Sequence, residues 1–239
     1  MNNLVKNTIL GTDITSGTGD QVLKYVIDLI EKKEEKCFIT TPNPEIVMYA
    51  KSHPSFQGIL NTADLALCDG VGLLIAGYIL NKPFKDRITG VDFMEKLCKR
   101  LARKPVSIGL LGARPRVAEK VAKCLREKYP EIKIVFTASE WDEKQFPKRG
   151  VDLLFVAFGF PKQEEWIAQN LPKLPITVAM GVGGAFDYLS GEVARAPFLM
   201  RSVGLEWLFR LSKQPWRLKR QLALPHFVWT VLLERLKSY

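Results

Sequence analysis

Short apolar runs alternate along the chain with segments in which apolar residues recur every three or four positions. Six apolar runs predict β-strands: Cys37–Thr41, Asp64–Asp69, Val106–Leu111, Ile132–Phe136, Asp152–Phe158 and Ile176–Val182. Several are apolar on both faces, which is typical of a parallel sheet covered on two sides. Four segments predict helices: Asp20–Lys33 (capped by Asp20), Val91–Arg103, Arg116–Lys128 and Lys162–Asn170. The alternation predicts an α/β domain with a mostly parallel sheet and helices on both faces.

Polar or glycine-rich turns follow most of the predicted strands. There are five such turns: Thr40–Glu45, Cys68–Gly72, Leu110–Arg116, Phe158–Trp166 and Gly181–Asp187. Ligands of parallel α/β sheets bind beyond the carboxyl ends of the strands. The five turns therefore predict one ligand site along that edge of the sheet.

Asp69 is the residue in these turns best suited to acid–base chemistry. It follows an apolar strand directly and precedes the turn Gly70–Gly72. Partial burial there would raise the pKa of its carboxyl group toward the range of a general base. The alternative is that Asp69 only caps the next helix.

Other positions in the turns have both a binding and a structural interpretation. Gly112 and Gly183 either let the backbone approach a phosphate or only form tight turns. Thr41 and Asn43 could flank a hydroxyl-rich substrate, or the prolines beside them could simply make the turn rigid. An anion could bind to Arg87, and Gln163 in the first turn of a helix could reach the site, or both could be solvated.

Composition excludes several classes of protein. Apolar residues make up 47% of the 239 residues, and charged residues 25%, so the chain is neither disordered nor collagen-like. The four cysteines lack CxxC spacing and there are only two histidines, which disfavours a disulfide scaffold and a zinc site. We predict no metal and no cofactor. No signal peptide or spanning segment is predicted, so a cytoplasmic location is expected.

The net charge of +10 is concentrated at the C-terminus. Residues 195–239 contain nine Lys or Arg and two Glu, so they carry +7, together with three of the five tryptophans. Aromatic and basic residues together suit an anionic membrane surface, and they also suit single-stranded nucleic acid. Strand–helix alternation stops near Arg195. We therefore predict two regions, an α/β core at 1–195 and a basic, Trp-rich, membrane-associating helical appendage at 196–239.

Seven blocks of the sequence, in this order, resemble the WecG/TagA/CpsF glycosyltransferases of bacterial cell-surface polymer synthesis. The blocks are TPNPEIV, CDGVG, RITGVDFM, LLGARPRVAEKVA, FGFPKQEEWI, MGVGGAFDYLSGEVARAP and GLEWLFRL…PWRLKRQLALPHFV. The resemblance implies a Rossmann-like fold and an inverting, metal-independent transferase. Its substrates would be a UDP-sugar, carrying N-acetylmannosamine or its uronic acid, and the GlcNAc of a polyprenyl-diphosphate lipid. It does not decide which sugar the donor carries.

The resemblance also implies roles for individual residues. Asp69 would be the catalytic base. Polar positions of the pocket would be Thr41, Asn43, Arg87 and Gln163. The appendage would close over the site and meet the diphosphate through Arg210, Arg217 and Arg220. Two departures affect donor recognition: Cys68 replaces the usual Pro, and residues 137–150 are shorter than the usual connection.

Two alternatives belong to other functional classes. A dinucleotide-dependent oxidoreductase would use the turn at Gly112, but no acidic residue ends the next strand. A nucleic-acid-binding protein would use the basic tail, but residues 1–194 carry only +3 and an elaborate ligand edge. We therefore expect a transferase at the inner face of the cell membrane with no nucleic-acid partner. Homo-oligomerisation stays open.

Overall fold

The computed structural model describes residues 4–215, 218 and 222–237. Six strands in these residues belong to one sheet: β3 (Cys37–Thr40), β4 (Leu65–Ala66), β5 (Ser107–Gly112), β6 (Lys133–Ala138), β7 (Val151–Ala157) and β8 (Ile176–Gly181). All pair in parallel, in the order β4-β3-β8-β7-β5-β6. Each strand lies within or overlaps a predicted apolar run, so the prediction of a parallel α/β sheet is confirmed.

An antiparallel hairpin precedes the sheet and was not predicted. It consists of β1 (Val5–Ile9) and β2 (Thr12–Ser16). Its two-residue turn has φ of 49° at Leu10 and 82° at Gly11, the left-handed conformation that tight hairpin turns require at both positions. Thr15 also bridges to Leu67 in parallel, which attaches the hairpin to the β4 edge of the sheet.

Eleven α-helices lie in the described part of the chain. They are α1 (Gly19–Lys32), α2 (Pro44–Ser52), α3 (Pro54–Asn61), α4 (Val71–Ile79), α5 (Gly90–Leu101), α6 (Val117–Lys128), α7 (Lys162–Asn170), α8 (Ala185–Leu189), α9 (Phe198–Ser202), α10 (Glu206–Lys213) and α11 (Ala223–Lys237). The predicted cap of α1 is wrong by two residues. Thr18 caps this helix, because its hydroxyl accepts from the N–H of Gln21 while the Gln21 side chain accepts from the N–H of Thr18.

The sheet has helices on both faces, as the sequence predicts. Successive side chains of a strand point to opposite faces. Leu153 and Phe155 of β7 therefore join a core cluster with α1, α5 and α6, whereas Leu154 and Val156 join a cluster with α7. All four side chains are 0% exposed. Because β7 packs against helices on both faces of the sheet, the carboxyl ends of the strands, where the candidate site lies, have fixed positions.

The C-terminal region contacts the rest of the molecule in two ways. Helix α11 packs against α2 and α4, with Phe227 and Val231 each 1% exposed in a cluster that includes Ile9 and Leu73. Segments α9 and α10 lie over the carboxyl edge of the sheet, as described below. Across the described residues, we find no helix with the length and apolar character needed to cross a bilayer.

Candidate active site

Asp69 lies where three segments of the chain meet. Its backbone N–H donates to the carbonyl of Pro42 at 3.1 Å, just beyond β3. Its carboxylate Oδ2 accepts from the N–H of Gly90 at 3.2 Å, where α5 begins. The carbonyl of Cys68 accepts from the N–H of Ile88 at 2.9 Å. Backbone hydrogen bonds to both neighbours therefore fix the position of this carboxyl group.

The turn after Asp69 packs closely on the turn after β3. Gly70, with φ of 102°, is the N-cap of α4, and no side chain caps this helix. A Cβ added to Gly72 would lie 2.6 Å from Cγ of Pro44, so only glycine fits there. Asp69 consequently does not cap α4, but its side chain does accept from the N–H of Gly90, the first residue of α5, so it also has a structural role at that helix start.

Burial raises the pKa of Asp69 to about 7, and it is the largest influence on this half-buried carboxyl group. The hydrogen bond from Gly90 acts in the opposite direction, because it stabilises the charged form. The nearby carboxylates of Glu206 and Asp92 raise the pKa further, while Arg87 lowers it. A carboxyl group with a pKa near neutrality can take up a proton and release it at physiological pH.

Thr41 and Gln163 connect the ends of neighbouring strands. The hydroxyl of Thr41 donates to the carbonyl of Gly181 at 3.2 Å, which joins β3 to β8. The side-chain oxygen of Gln163 accepts from the N–H of Gly183 at 2.9 Å. A Cβ added to Gly181 would lie 2.9 Å from Nε2 of Gln163, so the amide rests on bare backbone. The fold therefore brings the predicted site residues Thr41, Gln163 and Gly183 together with Gly181 at the ends of β3 and β8.

Asn43 and Arg87 are both engaged within the protein. Oδ1 of Asn43 caps α2 by accepting from the N–H of Ile46 at 3.0 Å. Nη2 of Arg87 donates to the carbonyl of Arg201 at 2.7 Å, which links the loop before α5 to α9. A substrate contact by Asn43 would accordingly use its Nδ2, and one by Arg87 would use its remaining N–H groups.

Gly112 lies on the same edge of the sheet but far from Asp69. Its φ is 104°, and an added Cβ would lie 2.8 Å from the carbonyl carbon of Ala157. The close approach of β5 to β7 thus accounts for glycine at this position. In the strand order, β5 is four positions from β4, which at about 4.8 Å per strand is on the order of 19 Å. The structure does not bring Gly112 next to Asp69.

An ion-pair cluster attaches the appendage to the start of α5. Arg195 pairs with Asp92 at 2.7 Å and with Glu206 of α10 at 3.3 Å. Farther along, Gly204 lies against Val71 at the start of α4, and a Cβ added there would lie 2.7 Å from Cβ of Val71. These contacts hold α9 and α10 over the turn that contains Asp69.

Arg210 of α10 reaches the turn after β8. Its guanidinium lies against Gly184, is 4.9 Å from the centre of the Tyr188 ring, and has Nη2 3.8 Å from Oδ2 of Asp187. Nη2 is buried and has no hydrogen-bond partner among the described residues. Arg217 and Arg220, the other two appendage arginines singled out above, lie outside the described residues.

Sequence reasoning missed the roles of Glu164, Arg195, Glu206 and Tyr188. An acidic residue in the first turn of a helix, as at Glu164, looks like an ordinary partner of the helix dipole, and only the structure shows that it is buried. Across the described residues, no three His, Cys, Asp or Glu side chains form a group that could hold a metal ion.

The chain is similar to known proteins along almost its whole length. The sequence profile of the glycosyl transferase WecG/TagA/CpsF family matches residues 7–239. An N-acetylglucosaminyldiphosphoundecaprenol N-acetyl-beta-D-mannosaminyltransferase of Staphylococcus aureus strain MW2 is 32% identical over 236 residues, covering 96% of this chain and 93% of the relative. A relative of the same name from Bacillus subtilis strain 168 is 35% identical over 222 residues, covering 89% and 87%.

Proposed function

The chain belongs to the WecG/TagA/CpsF family of glycosyltransferases, and from this we propose that it glycosylates a lipid in the synthesis of a bacterial cell-surface polymer. The acceptor in this proposal is the GlcNAc of a polyprenyl-diphosphate lipid. The donor is a UDP-sugar carrying N-acetylmannosamine or its uronic acid. The names of the relatives support the acceptor and the mannosaminyl group, since both specify N-acetylglucosaminyldiphosphoundecaprenol and N-acetyl-beta-D-mannosaminyl transfer.

The position of Asp69 carries the proposal. Its carboxyl group, with a pKa of about 7, lies at the convergence of three segments at the carboxyl edge of the sheet. In the reaction, a hydroxyl oxygen of the acceptor GlcNAc attacks the anomeric carbon of the donor while Asp69 takes up the hydroxyl proton. The new bond is from carbon to the acceptor oxygen, and the bond from carbon to the UDP oxygen breaks. A single displacement inverts the anomeric centre.

Negative charge develops on the departing diphosphate as its bond to carbon breaks. Positively charged side chains next to it therefore stabilise the transition state. Arg210 is well placed, because its buried Nη2 lacks a hydrogen-bond partner among the described residues and faces the turn after β8. Arginine can bind a diphosphate oxygen pair through two parallel hydrogen bonds. Arg217 and Arg220 are proposed to contribute in the same way. The reaction would then need neither a metal ion nor another cofactor.

The remaining proposed substrate contacts lie around Asp69 and Arg210. Thr41, Asn43, Arg87, Gln163 and Gly183 are proposed to hold the donor, since all lie in the turns at the carboxyl edge or in the loop before α5. Gly112, farther along the edge, is proposed to contact only a distal part of a bound substrate. Its conformation is already accounted for by packing against β7.

The appendage, residues 196–239, is proposed to bind an anionic membrane surface. Phe198 is 72% exposed, Leu199 is 77% exposed and Trp229 is 62% exposed, in a region that also carries most of the net charge. Apolar and basic side chains together bind the headgroup layer of anionic bilayers. We propose that the enzyme acts at the inner face of the cell membrane, with no nucleic-acid partner, and that an oligomer is compatible with this role.

A panel of UDP-sugars assayed against a synthetic GlcNAc-diphospholipid tests the proposal. We expect UDP-N-acetylmannosamine or its uronic acid to give a β-linked disaccharide lipid, identified by NMR, at an unchanged rate in EDTA. An α-linked product would contradict inversion, and loss of activity in EDTA that Mg²⁺ restores would contradict metal independence. Cosedimentation with anionic vesicles, compared with an oligonucleotide at the same ionic strength, tests the proposed partner.

A further inference from the structure

Glu164 is an acidic side chain buried completely beneath the candidate site. It lies in the first turn of α7 and is 0% exposed. Its Oε2 has no hydrogen-bond partner among the described residues. Carboxyl groups are seldom buried without a charged partner, because transfer from water is costly. The mechanism above does not use this residue, so its burial needs another explanation.

Among the described residues, the other oxygen of Glu164 accepts the hydrogen bonds from neighbouring side chains. Oε1 accepts from Nε2 of Gln163 at 2.8 Å and from the hydroxyl of Thr40 at 3.4 Å. Thr40 is itself 0% exposed at the end of β3. Burial raises the pKa of Glu164 to about 7, but Oε1 remains a hydrogen-bond acceptor whether the acid is charged or neutral, if the proton resides on Oε2.

The hydrogen bonds of Gln163 determine which way its amide group faces. The N–H of Gly183 can only donate, so the amide oxygen must face it, as observed at 2.9 Å. The NH₂ group then faces Glu164, which supplies the acceptor. Without that acceptor, the buried NH₂ group would lose its hydrogen bond, and rotation of the amide would set two donors against each other at Gly183.

We propose that Glu164 is a positioning residue: it holds the side-chain amide of Gln163 in the orientation that fixes the turn Gly181–Gly184 at the carboxyl end of β8. Arg210 packs on that same turn at Gly184. Glu164 thus acts on the donor site from below, without contacting substrate. The catalytic consequence rests on the proposed function, whereas the orientation of Gln163 does not.

Two substitutions at Glu164 separate positioning from packing. Glu164→Gln retains an acceptor oxygen and nearly the same shape. Glu164→Met retains the volume but removes the acceptor. We expect Glu164→Met to raise KM for the donor by about tenfold, the effect of roughly one hydrogen bond, with kcat within about twofold. The KM of Glu164→Gln for the donor should stay within about threefold of the wild-type KM. Glu165→Met, one residue along the same helical turn, is the matched control and should leave KM unchanged.

Hydrogen exchange at the Gly183 amide tests the orientation without any assay of activity. We expect Glu164→Met to accelerate this exchange at least about tenfold, while Glu164→Gln and Glu165→Met do not. In wild type, the side-chain NH₂ of Gln163 should exchange slowly in NMR spectra. That measurement applies even if Glu164→Met fails to fold. The proposal would be overturned if the Gly183 amide of Glu164→Met exchanged at the wild-type rate. It would also be overturned if the Gln163 NH₂ of the wild-type protein exchanged as fast as a solvated amide.

A double-mutant cycle tests whether Glu164 acts through Gln163. If it does, Gln163→Met combined with Glu164→Met should have the KM of Gln163→Met alone. Additive effects on KM would overturn this route. If the wild-type enzyme transfers no sugar from any UDP-sugar, the proposed function fails, and the exchange measurements still decide the orientation of Gln163.

Discussion

The guanidinium of Arg210 lies against the backbone of Gly184, in the space that a side chain at residue 184 would occupy. Gly184 has φ of −77° and ψ of 14°, which other residues adopt without strain. The backbone conformation therefore does not require glycine here, but the arginine does. This contact joins the appendage to the end of β8.

We expect Gly184→Ala to lower turnover by displacing Arg210 while leaving the fold intact. The added methyl group meets only the end of a flexible side chain, so stability should change little. A displacement of about 1 Å at a reacting centre costs up to about 10²-fold in rate, and Arg210→Ala should cost on the order of 10²–10³-fold. Steady-state kinetics of both variants and of the double mutant provide the measurement.

The control for this pair is Gly58→Ala in α3, where an added Cβ meets nothing within 4 Å. Its activity should be that of wild type and its stability higher by about 0.5–1 kcal/mol. Full activity of Gly184→Ala alongside a large loss in Arg210→Ala would show that the contact with Gly184 is dispensable. If the losses of turnover in Gly184→Ala and Arg210→Ala multiplied in the double mutant, the two substitutions would act independently. That result would contradict the explanation that Gly184→Ala acts by displacing Arg210.

Asp69→Asn should reduce kcat by about 10²–10⁴-fold with almost no change in UDP affinity and no loss of thermal stability. Asparagine keeps the shape and can still accept from the N–H of Gly90, but it cannot take up the acceptor proton. Rapid-quench assays, UDP titration calorimetry and thermal denaturation measure the three quantities. Asp20→Asn on the exposed start of α1 is the control. Turnover within a few-fold of wild type in Asp69→Asn would exclude Asp69 as the base.

The pH profile should report the same carboxyl group. A base must be deprotonated to act, and the pKa of Asp69 is about 7. We expect kcat/KM to be highest above pH 7 and to fall about tenfold per pH unit below it. A profile of the wild-type enzyme that stays flat from pH 5 to 8 would be incompatible with this assignment.

Stability should fall as pH rises from 5 to 8. Burial raises the pKa of Asp69 from 3.8 to about 7 and that of Glu164 from 4.5 to about 7. The folded state then binds protons that the unfolded chain has released, so this stabilisation is complete below about pH 4 and is lost as pH rises through 7. Glu164→Gln, measured by urea unfolding at both pH values, should show a smaller fall than wild type. An identical fall would mean that Glu164 is charged throughout.

Phe227→Ala should lower the free energy of unfolding by about 3–5 kcal/mol, since it empties a site buried between α11, α2 and α4. Trp229→Ala, two residues along the same helix and 62% exposed, is the control and should change stability by less than about 1 kcal/mol. Urea denaturation of both variants measures the difference. Similar small effects would indicate that α11 folds independently of the core, as a strict division of the chain at residue 195 requires.

Much of the fold was accessible from the sequence because its signals are local. Short apolar runs, several of them apolar on both faces, identified the six described strands of the parallel sheet, and three- and four-residue periodicity identified α1, α5, α6 and α7. The β1–β2 hairpin also has a local signal, two β-branched runs separated by Leu10-Gly11, although the predicted strands do not include it. The cap at Thr18 was missed although Thr18 and Gln21 have the spacing of a capping box.

Placement of candidate chemistry at the carboxyl edge also followed from sequence, since it depends only on which residues follow parallel strands. The sequence alone could place Asp69, Thr41 and Gln163 along that edge, and it also suggested Gly112. It could not show that Gly112 lies four strands away, because strand order depends on how the crossovers pack rather than on neighbouring residues.

Only the tertiary structure decided which residues far apart in the chain meet. Arg210 and Gly184 meet because α10 folds back over the end of β8. Glu164 is buried because the start of α7 packs against β3 and β8. Away from water, its carboxyl group accepts a hydrogen bond from the side-chain amide of Gln163. Composition and periodicity record the preference of each segment for water or for the core. Desolvation and hydrogen-bond geometry depend on every segment packed around a side chain, so they are determined only when the chain is folded.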